Sequence, residues 1–313
     1  MNLWGIDLGG TKIEGVVLTG PGGDRSSSHN ELNHAINLKA PLWRQRIATG
    51  AHLGYDHVIE QVVSLVATMR SDTGLKPERL GVGTPGIYDP LTHLMKNCNT
   101  TCLNHKPLKE DLECALGIPV MLANDANCFV LAESRLGAAR GEPTVFGAIL
   151  GTGVGGGLVI NGRLLSGAQG IAGEWGHNQL DDQGPQCYCG KRGCLETLIS
   201  GPALERRYEA LSGTKRSLKE VARLAVEGAD LNATQTLGYL LRTFGRAIGM
   251  IINVLDPHAV VIGGGVGNID LLYSTDTLAT VGEFIFNDCV RTKLLRPALG
   301  DSAGVFGAAM LNY

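Results

Sequence analysis

The sequence has no run of eighteen apolar residues, and its opening MNLWGIDLGG has no basic segment before an apolar one. These absences argue against a membrane-spanning helix and a secretory leader, so a cytoplasmic protein that engages no membrane is expected. Charge of one sign is also lacking. With 27 Lys and Arg against 30 Asp and Glu, the net charge is −3, and nothing suggests nucleic acid as a partner. No GxxxxGK[ST] motif occurs, which excludes a Walker-type phosphate loop. Of eight cysteines, Cys98, Cys102, Cys114, Cys128 and Cys289 are scattered and read as reduced small hydrophobes rather than a disulfide framework. A length of 313 residues allows one or two domains with ample core.

The densest chemistry lies in Gly173–Thr197, GEWGHNQLDDQGPQCYCGKRGCLET. His177, Cys187, Cys189 and Cys194 offer one imidazole and three thiolates, the ligand set of a closed tetrahedral zinc site. Four protein ligands leave no open position, so a structural zinc is expected, with the chemistry beside it. Glu174 and Glu196 flank the site, and Trp175 reads as packing.

Residues 2–8 and 13–18 read as strands joined by GGTK. Gly9 and Gly10 permit close backbone approach, Thr11 can donate to a phosphate oxygen, and Asp7 can meet hydrated magnesium. Thr144–Ile160 repeats the pattern, with Gly151, Thr152 and Gly153 at its turn. Asp125 follows the apolar run Val120–Ala123 and precedes a helical stretch, at a strand's carboxyl end where α/β folds place active-site groups. It reads equally as the N-cap of a helix over 126–136. Further helices are expected over 55–70, 107–116, 202–211, 218–227, 233–255, 278–289 and 304–311, and strands over 80–83, 259–262 and 293–296. Residues 19–40, long and polar, suggest an exposed excursion, with His29 and His34 solvated.

GEWGH followed by CYCGKRGCLE resembles the signature of the ROK family of bacterial sugar kinases and repressors. The likeness runs from Asp7 to the last helix, through ANDANC and NVLDPHAVVIGGGVGN. Within the family the sequence is most similar to the fructokinase/mannokinase group, through KNCNTTCLNHKPLKEDL and AGEWGHN, although Cys102 stands where those relatives often carry Trp. The resemblance implies an α/β fold of two actin-like (ribonuclease H-like) ATPase domains with a cleft between them. Residues 1–123, completed by about 300–313, would form one domain, and 124–299 the other. It implies ATP and Mg²⁺ against Asp7, Gly9, Gly10, Thr11, Lys12, Gly151, Thr152, Gly153, Gly264 and Gly265. It makes Asp125 the catalytic base, and Asn99, Asn124, Glu174, His177 and Glu196 the sugar ligands. The activity implied is phosphorylation of the 6-hydroxyl of D-fructose, with mannose as a second substrate. A kinase for N-acetylglucosamine or glucose is the alternative, and no stretch plainly supplies the apolar pocket that an N-acetyl methyl needs. A repressor would carry a DNA-binding segment ahead of the first phosphate loop, where Asp7 leaves no room. Homodimers are common among such kinases.

Overall fold

The computed structural model describes residues 2–20 and 41–312, and the chain folds into two units. Residues 1–141, 157–172 and 298–313 make unit 1; residues 142–156 and 173–297 make unit 2. Residues 21–40, the bulk of the expected polar excursion, lie outside the described residues.

In unit 1, Asn2–Leu8 (β1) and Lys12–Thr19 (β2) form an antiparallel hairpin, and Trp43–Ala48 (β3) extends it along β2. Leu80–Thr84 (β4) runs parallel to β1. Ile87–Tyr88 (β5) and Met95–Lys96 (β6) form a separate small hairpin, and Val120–Asn124 (β7) runs parallel to β4. The sheet order is β3-β2-β1-β4-β7. Alternation along the strands sends Trp4, Ile6, Leu8, Ile13 and Val17 into a core with Tyr55–Thr73 (α1) and Leu108–Leu116 (α2). Leu3, Val16 and Leu18 face the other way. Asp125–Arg135 (α3) follows β7 directly.

A second sheet contains Thr144–Leu150 (β8), Val154–Ile160 (β9), Arg163–Leu164 (β10), Ala259–Gly263 (β11) and Lys293–Leu295 (β12). Its order, β10-β9-β8-β11-β12, matches the first sheet strand for strand: a three-stranded meander whose first strand continues into two parallel neighbours. The unit division runs through β9, after Gly156. Unit 2 adds Leu195–Ile199 (α4), Gly201–Ser212 (α5), Leu218–Val226 (α6), Leu231–Leu255 (α7), Gly264–Gly267 (α8) and Thr275–Gly282 (α9). Finally Ala303–Met310 (α10) rejoins unit 1, where Val305, Phe306 and Ala309 cover Leu3, Val16 and Leu18. Among the described residues no helix is long and apolar enough to cross a membrane.

Three expectations differ from the structure. The helix expected over 278–289 begins at Thr275, capped by the Ser274 hydroxyl, and ends at Gly282. Beyond it, the Asn253 amide donates to Phe284 O and accepts from Phe286 N, which holds those backbone groups away from helical partners. The unit division falls at 141/142 rather than 123/124, because α3 packs on α10 and Arg135 donates to Met310 O. Cys98 and Cys128 are buried as expected of small hydrophobes, whereas Cys114 and Cys289 are exposed.

Candidate functional site

In unit 1 the parallel register aligns Asp7 with Gly83, and Gly83 with Ala123, so Asp7 and the Asn124-Asp125 pair lie at the same end of the sheet, on strands either side of β4. Asn124 is the N-cap of α3: its Oδ1 accepts from Asn127 N at 2.7 Å. Asp125 is therefore the first helical residue, not the cap, and has an exposed surface. Burial by the surrounding chain raises its pKa, opposed by the Ala126 amide, which donates to Oδ1 at 2.8 Å. Desolvation, then the charges of Asp125 and Glu14, raise the Asp7 carboxyl to about 6. Glu14, 2% exposed, pairs with both Arg44 and Arg46.

The hairpin turn beside Asp7 is braced internally. Gly9 N donates to Lys12 O, and Thr49, fully buried, donates its hydroxyl to Gly9 O and its amide to Thr11 O. Gly10, Thr11 and Lys12 are left exposed at the tip. Asn99 is exposed, its amide donating to Pro85 O, so its loop lies along the Thr84-Pro85-Gly86 turn. Asn104, which the sequence did not single out, holds that loop through both its amide atoms to the Cys98 backbone. Beside Asn124 is a recess of about 200 Å³ lined by Ile87, Tyr88, Pro90, Leu122 and Ala123. Asn127 also lines it, and its Oδ1 is buried without a hydrogen-bond partner.

In unit 2 the turn between β8 and β9 is closed by Gly151 N donating to Gly153 O, with Thr152 exposed at the tip. Beside it opens a cavity of about 980 Å³, whose lining includes Gly151, Thr152, Leu218, Arg223, Gly265 and Val266. Gly265 faces this cavity, while Gly264 packs against Leu150 O.

The knuckle brings its four residues together. The ligand atoms of His177, Cys187, Cys189 and Cys194 lie within 4.8 Å of one another. Cys189 Sγ is 3.5 Å from Cys194 Sγ, and Cys187 Sγ is 3.6 Å from His177 Nδ1. Zinc–sulfur bonds of about 2.3 Å in a tetrahedron give edges of about 3.8 Å, so the donor set fits. The far nitrogen of His177, expected to face sugar, meets the Tyr188 hydroxyl at 2.9 Å. Burial, then the charges of Glu196 and Glu174, push the Tyr188 phenol up to about 12. Tyr188 thus belongs to the same group as Glu174, His177 and Glu196, and it lies inside the CYCG motif. Trp175 is buried, donates to Gly155 O at 2.6 Å and packs edge-on against Phe146, as its packing role requires.

Comparison with known proteins adds three kinds of finding. The ROK family model matches residues 3–313. The chain is 35% identical to the N-acetyl-D-glucosamine kinase of Pasteurella multocida, over 98% of each chain. Its fold matches a ROK hexokinase from Thermus thermophilus with a TM-score of 0.84 at 33% identity, over 99% of this chain and 97% of that one. It also matches a ROK family glucokinase from Streptomyces griseus, solved with glucose and AMPPNP, with a TM-score of 0.73 at 27% identity over 99% of both.

Proposed function

Because this chain belongs to the ROK family, we propose that it is an ATP-dependent sugar kinase acting on the 6-hydroxyl of N-acetyl-D-glucosamine. The recess beside Asn124, lined by both apolar and polar groups, supports this choice of sugar. An acetamido group needs a dry pocket for its methyl and a partner for its N–H. Ile87, Pro90 and Leu122 offer contacts for the methyl, and Asn124, Asn127 and Ser166 bring polar side chains to the same recess for the amide. The Pasteurella relative supports the same choice. The second reading, a fructose or mannose kinase, rests on the Lys96–Leu108 and Gly173–Asn178 stretches.

In this reading Asp125 accepts the proton of the attacking hydroxyl, and its upward-shifted pKa strengthens it as a base. Asn99 and Asn124 of unit 1 are ligands for ring hydroxyls, as are Glu174 and Glu196 of unit 2, where the His177 imidazole bonds the Tyr188 hydroxyl. The turns Gly9–Lys12 and Gly151–Gly153 take the polyphosphate, and the cavity reaching Gly265 takes the nucleoside. The Asp7 carboxyl, largely desolvated and facing the charge of Asp125, fits a cation there, and magnesium, when bound, would neutralise phosphate charge. Zinc on the knuckle, when bound, would fix the loop bearing Glu174 and Glu196. With ATP as co-substrate the enzyme works in the cytoplasm, as a homodimer measurable by light scattering.

The test is ADP release from purified enzyme across N-acetylglucosamine, fructose, mannose and glucose. A kcat/KM for N-acetylglucosamine at least about tenfold above the others is expected. Preference for fructose installs the second reading, and no turnover of any hexose removes the kinase reading.

A further inference from the structure

The two glutamates flanking the knuckle are not equivalent. Glu196 Oε2 accepts a hydrogen bond from Val154 N at 2.9 Å, the first amide beyond the turn Gly151–Gly153. A Cβ on Gly153 would lie 2.5 Å from the same oxygen, so the carboxylate is seated directly on the turn's backbone. A second tie lies five residues on, where Gly201 N donates to Gly151 O at 2.8 Å. The first tie springs from α4, which starts immediately after Cys194, and the second from Gly201, the first residue of α5; Thr197 anchors the start of α4 by donating to Cys194 O at 2.7 Å. Cys194 itself is fully buried within the four-residue cluster. A continuous path therefore runs from the knuckle through α4 to one end of the turn and on through the start of α5 to the other, wholly within unit 2.

We propose that Glu196 is a positioning residue for the nucleotide: its carboxylate carries the rigidity of the knuckle into the turn Gly151–Gly153 and holds the turn's amides in their phosphate-binding arrangement. A five-residue helix gains little from its own backbone bonds, so its placement depends on what pins its ends. One end is pinned by Cys194, and the outward-facing Glu196 passes that constraint to Val154 N. A turn held this way loses less conformational freedom on binding polyphosphate than a free one. The inference rests on the kinase reading, because it requires a nucleotide at this turn.

The variants Glu196→Gln and Glu196→Met keep the length of the side chain. Gln retains an oxygen acceptor for Val154 N, and Met does not. The affinity of zinc-loaded protein for magnesium AMPPNP is measured by calorimetry without sugar, so a role in sugar binding cannot register. Glu196→Gln should bind within about twofold of wild type, and Glu196→Met about five- to tenfold more weakly, as expected for one lost hydrogen bond. Equal zinc content and matching melting curves in the two variants show that the effect is local. Unchanged affinity in Glu196→Met overturns the proposal, as does an equal loss in both variants, which would show that the hydrogen-bond acceptor Gln retains is not what holds the turn. No nucleotide binding by wild type removes the kinase reading itself, and this inference with it.

Discussion

Asn124 takes the cap of α3, which the sequence offered to Asp125 together with the role of base. Since Asn124 caps α3, replacement of Asp125 by Asn leaves the helix start intact. Asp125→Asn should therefore fold and keep its sugar KM within a few-fold, while kcat falls by about 10³ through loss of the base. Steady-state kinetics decide this, and a near-normal kcat would leave Asp125 without a catalytic role. Asp7 offers a test in pH. Its carboxyl, ordinarily at 3.8, sits at about 6 in the folded chain, so ionising it works against folding. The stability tied to its protonated form is complete below about pH 4 and is lost as pH rises through about 6. Two units correspond to at most about 3 kcal/mol. In magnesium-free protein, Asp7→Asn should melt higher than wild type at pH 8 and at the same temperature near pH 4. Equal melting temperatures at both pH values would show that Asp7 is not held out of water.

At the scale of elements, the knuckle was legible because its four ligands are close in sequence, and a spacing argument needs nothing from the rest of the fold. Cys189→Ser should lower zinc content from about one equivalent to near none and lower the melting temperature with it, both readable by metal analysis and calorimetry. Strand β3 was not legible. WRQRIA has no alternation, and its place is set by pairing with β2, which brings Arg44 and Arg46 to Glu14 from thirty residues or more away in sequence. The same holds for Thr49, whose bonds to Gly9 O and Thr11 O depend on that pairing. Helix α10 was legible as a helix, but its closeness to α3 was not. A Cβ at Gly307 would lie 1.8 Å from Cys128 O, so α3 and α10 touch through backbone. Gly307→Ala must push them apart and should cost about 2–4 kcal/mol, seen as a lower denaturant midpoint.

For the whole molecule, the paired phosphate turns pointed to a repeat, and the two sheets have the same strand order. The recess beside Asn124 escaped notice because Ile87, Pro90 and Leu122 come from separate segments that no periodicity links. The late return of α10 has a consequence for synthesis. Leu3, Val16 and Leu18 are made first, yet the residues that cover them begin at Ala303, after the whole of unit 2 has been translated. Glu133 likewise waits for the amides of Ala298 and Leu299. On the ribosome, unit 2 can therefore finish folding while the first-made sheet still exposes one apolar face, the reverse of the usual order in which the leading domain is completed first. From the end of β7 to Ala303 about 180 residues are added, roughly 10–35 seconds at elongation rates of about 5–20 residues per second, and in that interval this chain has most need of a chaperone.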